Sequence, residues 1–224
     1  MTAPHHPYRR LSDHLILVAD ALLLTVLAGA VLIILKNLAD IPAARIDPMD
    51  AFLVTMTVAS VLGATASWVL HRRPVGLRGL GMLAVGLLVA APALVAAHAV
   101  IIRTSVSSPG TELVLLIVAQ ILGLAVLLPP LVAGMADFFQ PKERRFDPGS
   151  IARLAGLIAL VGLIALRFLP ETQVDPAAAH VNAMLGLSTI AGGLGVGIAD
   201  AILYFSEGRA RRRAGAEAAP PETA

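Results

Sequence analysis

The stretch Leu15–Leu35, LILVADALLLTVLAGAVLIIL, is an apolar run of 21 residues broken by a single charge, Asp20. At ~1.5 Å per residue, a helix of that length crosses the ~30 Å hydrocarbon core of a bilayer. Five more runs follow: Ala51–Leu70, Gly79–Ile102, Leu113–Ala136, Ile151–Leu169 and Val181–Phe205. Lipid offers no partners to backbone amides, so such runs must satisfy their own hydrogen bonds as helices. The sequence therefore predicts an all-α polytopic membrane protein, a six-transmembrane-helix bundle over residues 13–206. Residues 1–12 read as an N-terminal tail. Residues 207–224 read as a basic and then disordered tail, because Ala214–Ala224 is mostly Ala, Pro and Glu.

The basic residues set the orientation. Arg9, Arg10, Arg72, Arg73, Arg78, Lys142, Arg144, Arg145, Arg153, Arg209, Arg211, Arg212 and Arg213 fall on one side of the expected bundle; Lys36, Arg45, Arg103 and Arg167 fall on the other. Cytoplasmic loops hold the excess of Lys and Arg, which places both termini in the cytoplasm and the chain in an inner membrane. Fifteen of the 17 bases are arginine, a usage expected of a GC-rich bacterial genome. The apolar run extends past Ala28-Gly29-Ala30, too long for a signal-peptide core, so the first helix is expected to be retained.

Composition narrows the function. A hydrophobic fraction of 57% against 14% charged residues leaves no room for a separate soluble domain. The absence of cysteine excludes disulfides, thiolate zinc sites and thiolate-held iron–sulfur clusters. The bases follow the positive-inside pattern without aromatic interleaving, so no nucleic-acid partner is expected and the lipid bilayer is the main one. P-loop, HExxH and GxSxG motifs are missing, which argues against an enzyme.

The even-numbered helices share a start: Asp47-Pro48, Ser108-Pro109 and Asp175-Pro176. Each pairs a capping side chain with a proline at the first helical position. At an offset of 63, Ile121-Leu122-Gly123-Leu124 aligns with Met184-Leu185-Gly186-Leu187, and Gly134-Met135-Ala136-Asp137 with Gly197-Ile198-Ala199-Asp200. Three related helical hairpins would account for this pattern; the alternative is chance alignment, because Leu, Ala, Gly and Val recur throughout apolar helices.

Three carboxylates, Asp20, Asp137 and Asp200, lie within or at the ends of apolar helices and are the candidate proton- or cation-binding residues. A charge in the membrane interior needs a partner or a water-filled cavity. Asp20 and Asp200 fall at one depth near the cytoplasmic side. Two uses follow: a shared proton or cation site, or salt bridges to Arg153 or Arg78 at neighbouring helix starts. The string Gly195-Val196-Gly197-Ile198-Ala199-Asp200 resembles the Gly-x-Gly-Asp motif of intramembrane aspartyl proteases, although here two residues separate the second glycine from the aspartate.

On the sixth run, Thr189, Gly193 and Gly197 recur every four residues. Small side chains let backbones approach, which marks a central packing helix, or a face for a homo-oligomer or a partner membrane subunit. Pro129-Pro130 removes two amide donors and is expected to break the fourth helix near Ala125 and Val126. His14 and His71 on one side, with His98 and His180 on the other, are the residues that would ligate b-type haem. Thr25, Thr57, Ser60, Gln120, Ser188 and Thr189 are the main polar groups inside the runs, too few for a wide aqueous pore. A small permease or channel-like protein for a proton, cation or small solute is the functional expectation. A non-catalytic membrane subunit or assembly factor is the alternative.

The charge pattern makes a topological prediction. Alkaline phosphatase fused after Arg45 should be active, whereas fusions after Arg73 and at the C-terminus should be inactive, with fluorescence from GFP at both. Activity after Arg73 would reverse the assignment.

Overall fold

A computed structural model describes residues 7–38, 48–107, 128–136, 148–167 and 176–217. These residues form six helices and one tight connection at 71–76. The helices are α1 (Pro7–Leu38), α2 (Pro48–Leu70), α3 (Leu77–Ser107), α4 (128–136), α5 (Pro148–Arg167) and α6 (Pro176–Glu217). Pro48 and Pro176 do begin helices, as does Pro148, where a fixed φ suits the first turn. Ser108-Pro109, Ile121–Leu124, Gln120 and Asp137 lie outside the described residues, so the hairpin repeat and the third carboxylate have no structural counterpart to compare.

Two boundaries differ from expectation. The first helix begins at Pro7, inside the expected N-terminal tail. The last continues through the expected tail as far as Glu217. Arg, Ala and Glu from 207 to 217 are good helix formers, and Pro220-Pro221 comes only afterwards.

Among the described residues three helices are long and apolar enough to cross a membrane: Leu11–Lys36, Leu77–Leu94 and Leu185–Arg209. Val54–Leu70 and Ile151–Gly162 are shorter apolar helices. Among the described residues many large apolar side chains lie on the surface, and several polar groups lie inside. On α5 the exposed large apolar residues are Ile151, Leu154, Ile158, Val161 and Ile164, spaced three and four apart. Val54, Val58, Val61 and Leu62 on α2, and Leu80, Val85 and Leu88 on α3, are likewise exposed. Asp20, Thr25, Ser60, Ser67, Ser188, Thr189 and Asp200 are buried. An apolar exterior of this extent suits lipid and not water.

α6 is the centre of the assembly, in contact with α1, α2 and α3, while α1 also holds α2 and α5. Small residues make this possible. A Cβ placed on Gly86 of α3 would collide with the carbonyl oxygen of Gly195 on α6, so these two backbones touch. Thr25 of α1 fills the space beside Gly63 of α2 and Gly192 of α6. Gly193 faces Leu22 and Gly197 faces Val18, both on α1, and Thr189 is buried with its hydroxyl donating to Leu185 O at 2.8 Å. The four-residue stripe is therefore spent on packing within the chain.

Buried hydroxyls are satisfied in the same way. Thr25 donates to Ala21 O at 2.7 Å, and Ser67 crosses to Leu17 O on α1 at 2.8 Å. Ser60 lies within bonding distance of Met56 O at 3.1 Å and of Ser188 O on α6 at 3.0 Å. α4 rests on α1 through Gly134 and Ala19. Pro129 and Pro130 open the described part of α4, Pro130 buried and Pro129 exposed; the carbonyls expected to be freed, near Ala125 and Val126, lie outside it. α3 runs through Pro92 as one helix.

Two glycines of α3 provide a controlled comparison. Gly86→Ala should lower stability by about 1–3 kcal/mol through overpacking against α6. Gly81→Ala, where an added Cβ meets nothing within 4 Å, should be neutral or slightly stabilising. Thermal melting of the detergent-solubilised variants measures both, and equal midpoints would contradict the α3–α6 contact.

Candidate functional site

The end of the bundle that carries the α2–α3 connection gathers two carboxylates, two imidazoles and two guanidiniums. Asp20, wholly buried on α1, accepts from Arg153 Nε of α5 at 2.7 Å through one oxygen. Its other oxygen is 2.7 Å from His71 Nε2 at the end of α2. Asp200 of α6 is 2.7 Å from His14 Nδ1 of α1. Arg73 Nη2 bridges its two oxygens at 3.1 and 3.2 Å. A carboxylate has only acceptors, so in each pair the imidazole nitrogen donates.

The local sequence explains how Arg73 reaches inward. The amide of Arg72 donates to Val69 O at 2.9 Å, and that of Arg73 to Trp68 O at 3.0 Å. This is the Schellman close of a helix, with Arg72 in the left-handed conformation at φ 51°. Glycine is the usual residue there, since a Cβ strains that conformation. Pro74 follows and stops the chain from continuing as helix. Its carbonyl accepts from the indole of Trp68 at 2.9 Å, which fixes the turn onto the wholly buried tryptophan. The turn thus points Arg73 back to Asp200, while Arg78 at the start of α3 donates to Ser206 at 3.1 Å.

Sequence reasoning placed Asp20 and Asp200 at one depth and offered Arg153 and Arg78 as partners. Asp20 does pair with Arg153. Asp200 pairs with Arg73 and His14, and Arg78 is engaged elsewhere. The missed signal was the pairing of one histidine and one arginine with each carboxylate; which face each side chain takes cannot be read from hydropathy. Of the residues weighed for haem, His14 and His71 each direct one ring nitrogen at a carboxylate, and the side chains of His98 and His180 lie outside those described. Among the described residues no three His, Asp or Glu side chains converge as a metal site.

The second feature is a groove. α2 and α3 both pack on α6 but barely touch each other. Between them lies a cavity of about 740 Å³, floored by Leu187, Ser188 and Ala191 of α6. Its walls include Thr57, Ser60 and Thr65 of α2, and Ala84, Leu88 and Pro92 of α3. That volume falls within the ~300–1,000 Å³ typical of small-molecule sites. The lining is apolar with a few hydroxyls, Ser60 already occupied by backbone carbonyls.

Comparison with protein-family models, curated proteins and solved structures finds no match.

Chemically, the two regions differ. Each carboxylate already has a guanidinium counter-charge, so the ionic end binds helix to helix. The groove is the region with room for a ligand.

Breaking a buried ion pair leaves an uncompensated charge, at about 3–5 kcal/mol. Asp20→Asn should therefore destabilise the protein strongly, and Asp20→Leu/Arg153→Leu much less. The chain's single tryptophan, Trp68, reports unfolding at this end by its fluorescence. A double variant as unstable as Asp20→Asn would show that the pair is not coupled.

Proposed function

We propose that the chain is a six-span inner-membrane protein, with both termini cytoplasmic, acting as a small permease for an apolar or weakly polar solute. The observation that carries this reading is the groove between α2 and α3. It is large enough for a ligand, lined by apolar side chains, and built on helices whose outer faces suit lipid. Entry from the bilayer is the route that such a lining favours, since an ion or strongly polar solute would lose its hydration without replacement. The ion-paired end holds α1, α2, α5 and α6 together beside it. The remaining three spans of this reading rest on the apolar runs of the sequence.

A second reading draws on the imidazole bonded to each buried carboxylate. His71–Asp20 and His14–Asp200, each 2.7 Å apart, place hydrogen-bond donors and acceptors for a proton at one end of the bundle. This would add a driving ion to the same permease.

Reconstitution into liposomes tests the main reading. Wild type should speed the efflux of small weakly polar solutes well above protein-free vesicles, and Ala84→Phe, which sets a ring into the groove, should lower that efflux. Efflux equal to that of empty vesicles, or unchanged by Ala84→Phe, would remove the groove from the function.

A further inference from the structure

We propose that the groove seats an acyl chain of an anionic phospholipid from the leaflet at the ionic end, with the lipid phosphate against Arg72. This rests on the reading of the groove as a site reached from the bilayer, and adds a lipid that occupies it when no solute is bound.

The position of Arg72 follows from topology. The 71–76 connection joins the two walls of the groove, so it must cross the groove's end. Arg73, Arg78 and Arg153 each hold a partner, whereas Arg72 is exposed with no hydrogen-bond or ion-pair partner among the described residues. It also occupies the left-handed position that glycine fills without strain. Backbone economy therefore does not explain an arginine at 72; a positive charge there suits the cytoplasmic bias of the loops and, equally, an anionic headgroup. Beside it, Val75 and Leu77 are 52% and 94% exposed, apolar side chains suited to the headgroup boundary.

The dimensions agree. The lining begins at Thr65, five residues before the end of α2, and at Leu80, three residues into α3. Along α2 it reaches Met56, nine residues further, or about 14 Å of helix. One leaflet of a ~30 Å hydrocarbon core is about 15 Å deep. A chain lying along the groove thus has its headgroup at the level of the connection. Arginine near a membrane surface draws anionic headgroups, and basic pockets between helices on the cytoplasmic side are where such lipids bind.

The experiment is native mass spectrometry of the full chain, presented with phosphatidylglycerol and phosphatidylcholine of identical acyl chains. Wild type should retain phosphatidylglycerol about fivefold more strongly, the ratio that one arginine near the surface contributes. Arg72→Gly should remove that preference with a thermal midpoint equal to or above wild type, because glycine suits the turn. Ala84→Phe, which narrows the groove, should retain both lipids less than wild type does. Equal retention of the two lipids by wild type, a preference that survives Arg72→Gly, or lipid adducts unchanged in Ala84→Phe would each overturn the lipid assignment. Solute efflux is read separately, so a failed lipid assignment with intact groove-dependent efflux leaves the permease reading standing.

Discussion

A carboxylate in an apolar bundle must be neutralised where it stands, and Asp20 and Asp200 impose that demand on one end of this molecule. The surrounding chain is arranged to meet it. α2 stops at Leu70 and turns sharply enough to bring His71 to Asp20 and Arg73 to Asp200. α5 places Arg153, five residues after its start at Pro148, against Asp20, and α1 contributes His14 as well as Asp20 itself. Three helices and the turn that closes α2 are therefore fixed at a common level by two pairs of charges. Removing any one member leaves a charge or a donor in a place with little water, which is why the arrangement resists partial change.

Beyond that level the bundle is governed by small side chains. Gly195 and Gly86 let α6 and α3 touch backbone to backbone, and Gly192 and Gly63 admit Thr25 between α6 and α2. Both α2 and α3 are drawn to α6, and nothing of comparable closeness draws them to each other. The groove is the geometric remainder of those preferences. Its hydroxyl-bearing residues include Ser60, whose oxygen is spent on Met56 and Ser188 carbonyls, so the space it leaves is apolar in character.

Much of the framework was legible in the sequence. Run length and the exclusion of water fix helices, and Pro48 and Pro176 mark two of their starts, because these depend on local composition alone. The Asp20–Arg153 pair was legible too, since a buried acid and a base at a neighbouring helix start have few other options. Arg73 as the partner of Asp200 was not, because it depends on a left-handed residue at 72 that turns the chain inward, and hydropathy carries no dihedral information. The inward use of Thr189, Gly193 and Gly197 was one of two readings of a stripe whose facing depends on where α1 lies. The groove was illegible for the same reason: it is a property of three helices' mutual distances. Asp137, expected at the end of the fourth run, lies outside the described residues.

The proposed role of the groove requires that it be open to lipid. Because the chain has no cysteine, a nitroxide can be attached at Ala84→Cys alone and the protein placed in nanodiscs. The account predicts strong relaxation by oxygen, which concentrates in the hydrocarbon, and weak relaxation by a water-soluble nickel chelate. Weak relaxation by both would mean that protein covers the site, and strong relaxation by the chelate would mean an aqueous channel; either result would contradict it.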